Sequence, residues 1–81
     1  MTKEVIIEKI NEFLIDEFEV DESLISEEAP LIETLDLDSL DYVDLVVVIE
    51  SNFGFKVKAE DFQTMKTIGD FYSYCDSKVN G

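Results

Sequence analysis

Residues 38–54, Asp-Ser-Leu-Asp-Tyr-Val-Asp-Leu-Val-Val-Val-Ile-Glu-Ser-Asn-Phe-Gly, decide the fold. The middle of this stretch is β-branched, and Val43, Val46, Val47, Val48 and Ile49 would suit a strand. Its ends read as a helix. Asp38 followed by Asp41 makes a capping-box-like start, Asp41 and Asp44 suit the positive end of a helix macrodipole, and Gly54 is a stop signal. The apolar spacing agrees, because Tyr42, Leu45, Val46, Ile49 and Phe53 fall within one arc of roughly 100°. The stretch predicts a helix from Ser39 to Phe53, with Tyr42 turned to the core and its hydroxyl reaching a rim.

Upstream, Ile6, Ile7, Ile10, Phe13, Leu14 and Phe18 share an arc of roughly 140°, and Thr2 is placed to cap them, which predicts a first helix over residues 3–18. From Glu19 to Leu37 there is no steady period. Leu24, Ile25, Leu31, Ile32, Leu35 and Leu37 recur through this stretch, and its Pro30 is the chain's sole proline, so it predicts a long loop pinned by apolar anchors. Downstream, Phe55-Lys56-Val57-Lys58 is a connector, and residues 59–62 suit one or two helical turns. Thr67 with Asp70 is a second capping box, and Ile68, Phe71, Tyr72 and Cys75 follow at helical spacing, predicting a last helix over 68–78. The expectation is one all-α domain over residues 1–81. It is a four-helix bundle of three main helices and a short third, with a long loop between helices one and two.

The chain carries 20 acidic and 6 basic residues, a net charge of −14, and no histidine. Imidazole acid/base chemistry and serine–histidine dyads are therefore excluded, and no metal site is expected. The field disfavours nucleic acid and anionic lipid and favours basic partners, and the self-repulsion predicts a melting temperature that rises with salt or divalent cations. An EF-hand reading of Asp36-Leu37-Asp38 fails, since glycine and glutamate are needed where Asp41 and Val47 stand. Cys75 is the single cysteine, expected as a packed, inert thiol, and no apolar run approaches a membrane span. A cytoplasmic, monomeric protein is expected.

At the predicted helix start, Ser39 has acidic neighbours that oppose an alkoxide, so a self-activated nucleophile is disfavoured. A phosphate ester on its hydroxyl would lie beside free N–H groups that favour an anion. An ordinary helix-start serine fits the same residues. Leu40, Val43 and Val47 fall together on the side opposite the core arc, with Asp41, Asp44 and Glu50 at or beside them. This spacing suits a docking patch of apolar anchors and an acidic rim, or valines packed against the long loop or another helix.

Asp38-Ser39-Leu40-Asp41, then Val43-Asp44-Leu45-Val46 and the stretch to Glu50 and Phe53, resemble the acyl carrier proteins. The likeness extends to the apolar first helix, the loop through Pro30 and Leu31, and the Thr67-Ile68-Gly69-Asp70 helix start. It implies that the chain is not itself an enzyme. A phosphopantetheinyl transferase, using coenzyme A and Mg²⁺, would attach 4′-phosphopantetheine to Ser39, beside Asp38 and Leu40. The arm would carry acyl intermediates as thioesters between enzymes of fatty-acid or polyketide-like biosynthesis. It further implies that Leu40, Asp41, Val43, Asp44, Val47 and Glu50 meet basic patches on acyl-loading and acyl-processing enzymes. Leu45, Val46, Ile49, Phe62 and Ile68 become candidate lining for a sequestered acyl chain, or are plain core. Two positions depart from the family: Asp36 and Leu37 stand where glycine and a small residue are common, and Ser51-Asn52 replace an acidic continuation. The competing class of function is an unmodified acidic helical module that binds basic partners through the same helix.

Overall fold

In a computed structural model, the backbone is described for residues 1–81 and the side chains for all of these except Ala59. The chain forms α1 (Lys3–Phe18), a 3₁₀ turn (Glu22–Leu24), a short α2 (Leu31–Leu35), α3 (Ser39–Phe53), a 3₁₀ helix (Ala59–Thr64) and α4 (Ile68–Asn80). α1 packs against α4 and α3, and α3 packs against the 3₁₀ helix.

Each long helix starts where a side chain can accept its orphan N–H groups. The Thr2 hydroxyl accepts from the Val5 N–H at 3.3 Å, and Asp38 Oδ1 accepts from the Asp41 N–H at 3.0 Å. Asp41 does not return the bond, so the box at α3 is half built. The box at α4 is complete: Thr67 Oγ1 accepts from the Asp70 N–H, while Asp70 Oδ2 accepts from the N–H groups of Thr67 and Lys66. Gly54 ends α3 in the left-handed region at φ 80°, its N–H donating to the Glu50 carbonyl at 2.8 Å.

The core forms where the helical stripes meet. Ile6, Ile10, Phe13 and Leu14 of α1, Leu45 and Ile49 of α3, and Ile68, Phe71, Tyr72 and Cys75 of α4 are buried. Phe62 and Met65 close it from the 3₁₀ side. The Tyr72 hydroxyl donates to Asn11 Oδ1 and ties α4 to α1.

Three expectations change. The last helix runs to Asn80 rather than residue 78, because half-buried Val79 continues the stripe one turn past Cys75. The third element is a 3₁₀ helix two residues longer than the predicted turns. The stretch from Glu19 to Leu37 is not all loop. Pro30 fixes φ at −66° just ahead of α2, and Leu31 and Leu35, one turn apart, are buried beneath it. Five residues are too few for a period to show, and Leu24 and Ile32, expected as anchors, are exposed.

The same stretch is laced to the start of α4 by main-chain bonds. The N–H of Leu31 donates to the Lys66 carbonyl, that of Ile68 to Ala29 and that of Gly69 to Glu27, at 3.0, 2.9 and 2.9 Å. α2 is thereby held beside the N-terminus of α4, three residues ahead of α3 in the chain.

Candidate functional site

α2 leads into α3 through a turn built on two contrasting backbone conformations. Asp36 caps α2 in the left-handed region at φ 47°, its N–H donating to the Ile32 carbonyl at 3.0 Å. Asp38 then returns to extended backbone and caps α3. Aspartate tolerates the left-handed region at some cost, so the turn that glycine would make freely is kept here under mild strain.

Ser39 follows as the first residue of α3, and Asp38, Ser39 and Leu40 are all exposed. The Asp38 carboxylate takes the Asp41 N–H, and the Asp38 carbonyl takes that of Tyr42. Among the described residues the N–H groups of Ser39 and Leu40 have no such partner. An exposed hydroxyl thus stands at the positive end of a fifteen-residue helix. The free amides there can hold and orient an anion, while the nearby carboxylates oppose one and cannot deprotonate a serine efficiently.

Beside Ser39 lies an open cleft of about 540 Å³, bordered by Ile32 and Leu37 on one side and by Glu60, Phe62 and Gln63 of the 3₁₀ helix on the other. Asp38, Ser39 and Tyr42 complete its lining. Of the five candidate lining residues, Phe62 alone borders this cleft. Leu45, Ile49 and Ile68 are packed in the core at 0% exposure, and Val46 is half-buried against them.

Tyr42 corrects an expectation. The residue is half-buried with its ring 5.5 Å from that of Phe62, but its hydroxyl oxygen does not reach a rim: it is buried and without a hydrogen-bond partner. Desolvation, followed by the charge of Glu33, raises the phenol above its ordinary 10.0, so it stays protonated.

On the outer face of α3, Leu40, Val43 and Val47 are exposed by 76, 56 and 59%, so they do not pack under the loop. Asp44 and Glu50 are exposed and Asp41 half-exposed around them. The cleft residues Ile32, Leu37, Glu60 and Gln63 are not apparent from sequence. A buried pair at 31 and 35 turns residue 32 outward, and that is the one signal that could have found Ile32.

The family whose description is "Phosphopantetheine attachment site" matches residues 8–75. The chain is 44% identical over 78 residues to an acyl carrier protein of Thermotoga maritima, covering 96% of each chain. It is 35% identical over 80 residues to an acyl carrier protein of Petrotoga mobilis, covering 99% of this chain and 94% of that one. It is 39% identical over 70 residues to "Acyl carrier protein 2" of Ralstonia nicotianae, covering 86% of each.

Proposed function

Because the chain belongs to the acyl carrier protein family, matched over residues 8–75 and over nearly its full length, we propose that Ser39 is the residue to which its 4′-phosphopantetheine is joined. The chain is a carrier and not an enzyme. The prosthetic group supplies a terminal thiol that holds acyl groups as thioesters, serving fatty-acid or related biosynthesis.

What supports Ser39 above all is its position: an exposed hydroxyl at the first residue of α3, beside two N–H groups without partners. Those amides and the macrodipole favour the phosphodiester once it is formed. Attachment joins Ser39 Oγ to the phosphorus of coenzyme A's pantetheine phosphate. The bond to the adenosine bisphosphate breaks, and the serine proton passes to a base on the transferase, since this chain offers none. Asp38 fixes the helix start that presents the hydroxyl, and Leu40 stands exposed beside it for the transferase to grip.

The outer face of α3 is the docking surface in this reading. Leu40, Val43 and Val47 anchor, while Asp41, Asp44 and Glu50 steer basic patches on acyl-loading and acyl-processing enzymes toward it. In this reading the carrier works as a monomer in the cytoplasm; among the described residues no helix is long and apolar enough to cross a membrane.

Intact mass measured after incubation with coenzyme A, Mg²⁺ and a phosphopantetheinyl transferase tests the assignment. The native chain gains one phosphopantetheinyl group and Ser39→Ala gains nothing. An unchanged native mass would leave the unmodified interaction module as the better reading, and a mass gain in Ser39→Ala would move the site elsewhere.

A further inference from the structure

The carrier role explains Ser39 but not the cleft beside it. Tyr42 borders that cleft, three residues and so one helical turn from Ser39. Its hydroxyl oxygen is buried and unpartnered, and among the described residues it is the sole buried side-chain polar atom in that condition. Native proteins seldom leave such a group unpaired, and each case calls for a partner or a purpose. The ring cannot easily swing away to find water. It lies 5.5 Å from Phe62, which is itself held 5.7 Å from Phe71 in the core.

The cleft suits a chain that is apolar in part and polar in part. Ile32, Leu37 and Phe62 offer apolar contact, while Glu60 and Gln63 are exposed polar side chains. One wall is a 3₁₀ helix, a form whose hydrogen-bond geometry is poorer than that of an α-helix and which can shift more readily. A chain tethered at Ser39 and folding back would meet Tyr42 first.

We propose that Tyr42 is a specificity residue of this cleft, its hydroxyl donating a hydrogen bond to an oxygen acceptor on the chain tethered at Ser39. The acceptor is a carbonyl or hydroxyl oxygen, carried either by the pantetheine arm or by an oxygenated acyl cargo. A plain alkyl chain leaves the hydroxyl as it found it. This role rests on the carrier reading of Ser39.

Thermal unfolding of the full chain and of Tyr42→Phe tests it, each in four forms verified by intact mass: unmodified, carrying the arm alone, carrying a saturated acyl group, and carrying the β-ketoacyl group of equal length. Unmodified Tyr42→Phe unfolds at the same temperature as the native chain or higher, because it lacks the orphan hydroxyl. On loading, the native chain gains about 4–8 °C more than Tyr42→Phe. That extra gain appears with the arm alone if the arm supplies the acceptor, first with the saturated acyl form if the thioester carbonyl does, and with the β-ketoacyl form only if an oxygen further along the cargo does. Equal gains in both proteins at every stage would overturn the proposal, as would an unmodified Tyr42→Phe that melts several degrees lower. Failure to load either protein would instead overturn the carrier reading.

Discussion

Cys75 sits at 0% exposure on the inner side of α4, and burial pushes its thiol from an ordinary 9.0 up to about 12. Below pH 9 the folded and unfolded chains both keep the proton, and the group has no effect on stability. Between pH 9.0 and about 12 the unfolded chain releases it while the folded chain does not, so stability falls as pH rises. The gap sets a ceiling of about 4 kcal/mol on that loss. Tyr42, Tyr72 and Tyr74 are raised from 10.0 by desolvation too and add in the same direction once the pH passes 10.0. Urea titrations from neutral pH to about pH 10 should show stability declining above pH 9. In Cys75→Ala the chain is weaker at neutral pH through lost packing, but the early part of the decline disappears. An identical decline in both proteins would remove Cys75 as its cause. The thiol's inertness was legible from its place in the apolar spacing of α4. The state of the Tyr42 hydroxyl was not, because helical phase gives the side on which a ring lies and says nothing about what meets its far end.

At the scale of elements, the long helices were legible because each carries both a stripe and a terminal signal. α1, α3 and α4 begin at Thr2, Asp38 and Thr67, the residues whose side chains accept the first amides. α2 carries neither signal in full. Its formation depends on tertiary bonds from the start of α4, which no local pattern announces. Gly69 is where that dependence is sharpest: a Cβ there would come 2.8 Å from the Glu27 carbonyl oxygen, the same oxygen that accepts the Gly69 N–H. The contact is with main chain, so the loop itself would have to move. Gly69→Ala should therefore destabilise by about 1–3 kcal/mol, although alanine is the better helix former by about 1 kcal/mol. Because the loop leads into α2, amide exchange should also quicken over residues 27–35. A stabilised Gly69→Ala would show that helix propensity wins over the close approach.

Over the whole molecule, the charge of −14 is confined to a body with a radius of gyration of 11.4 Å. The screening length reaches about 30 Å at 0.01 M salt, longer than the molecule's greatest extent of 28 Å, so at low salt nearly every carboxylate feels most of the others. Raising the salt from about 0.01 M to physiological strength should weaken this repulsion in the folded chain more than in the expanded unfolded one. The melting temperature should rise by several degrees, since each kcal/mol is worth about 4–8 °C in a chain of this size. Divalent cations should act at lower concentration. Docking responds in the opposite sense. On the docking surface proposed above, the acidic rim of α3 would steer basic partners, and the same screening would slow their encounter with Leu40, Val43 and Val47. Stability and partner on-rate should therefore move apart as salt increases. Charge reversal on the rim separates the two effects: Asp44→Lys reduces the salt sensitivity of partner association while leaving most of the salt-dependent gain in melting temperature, because it changes the local steering field far more than the total charge. A melting temperature indifferent to salt would mean that the carboxylates are already spaced widely enough to ignore one another. In that case the excess of acid would serve recognition alone.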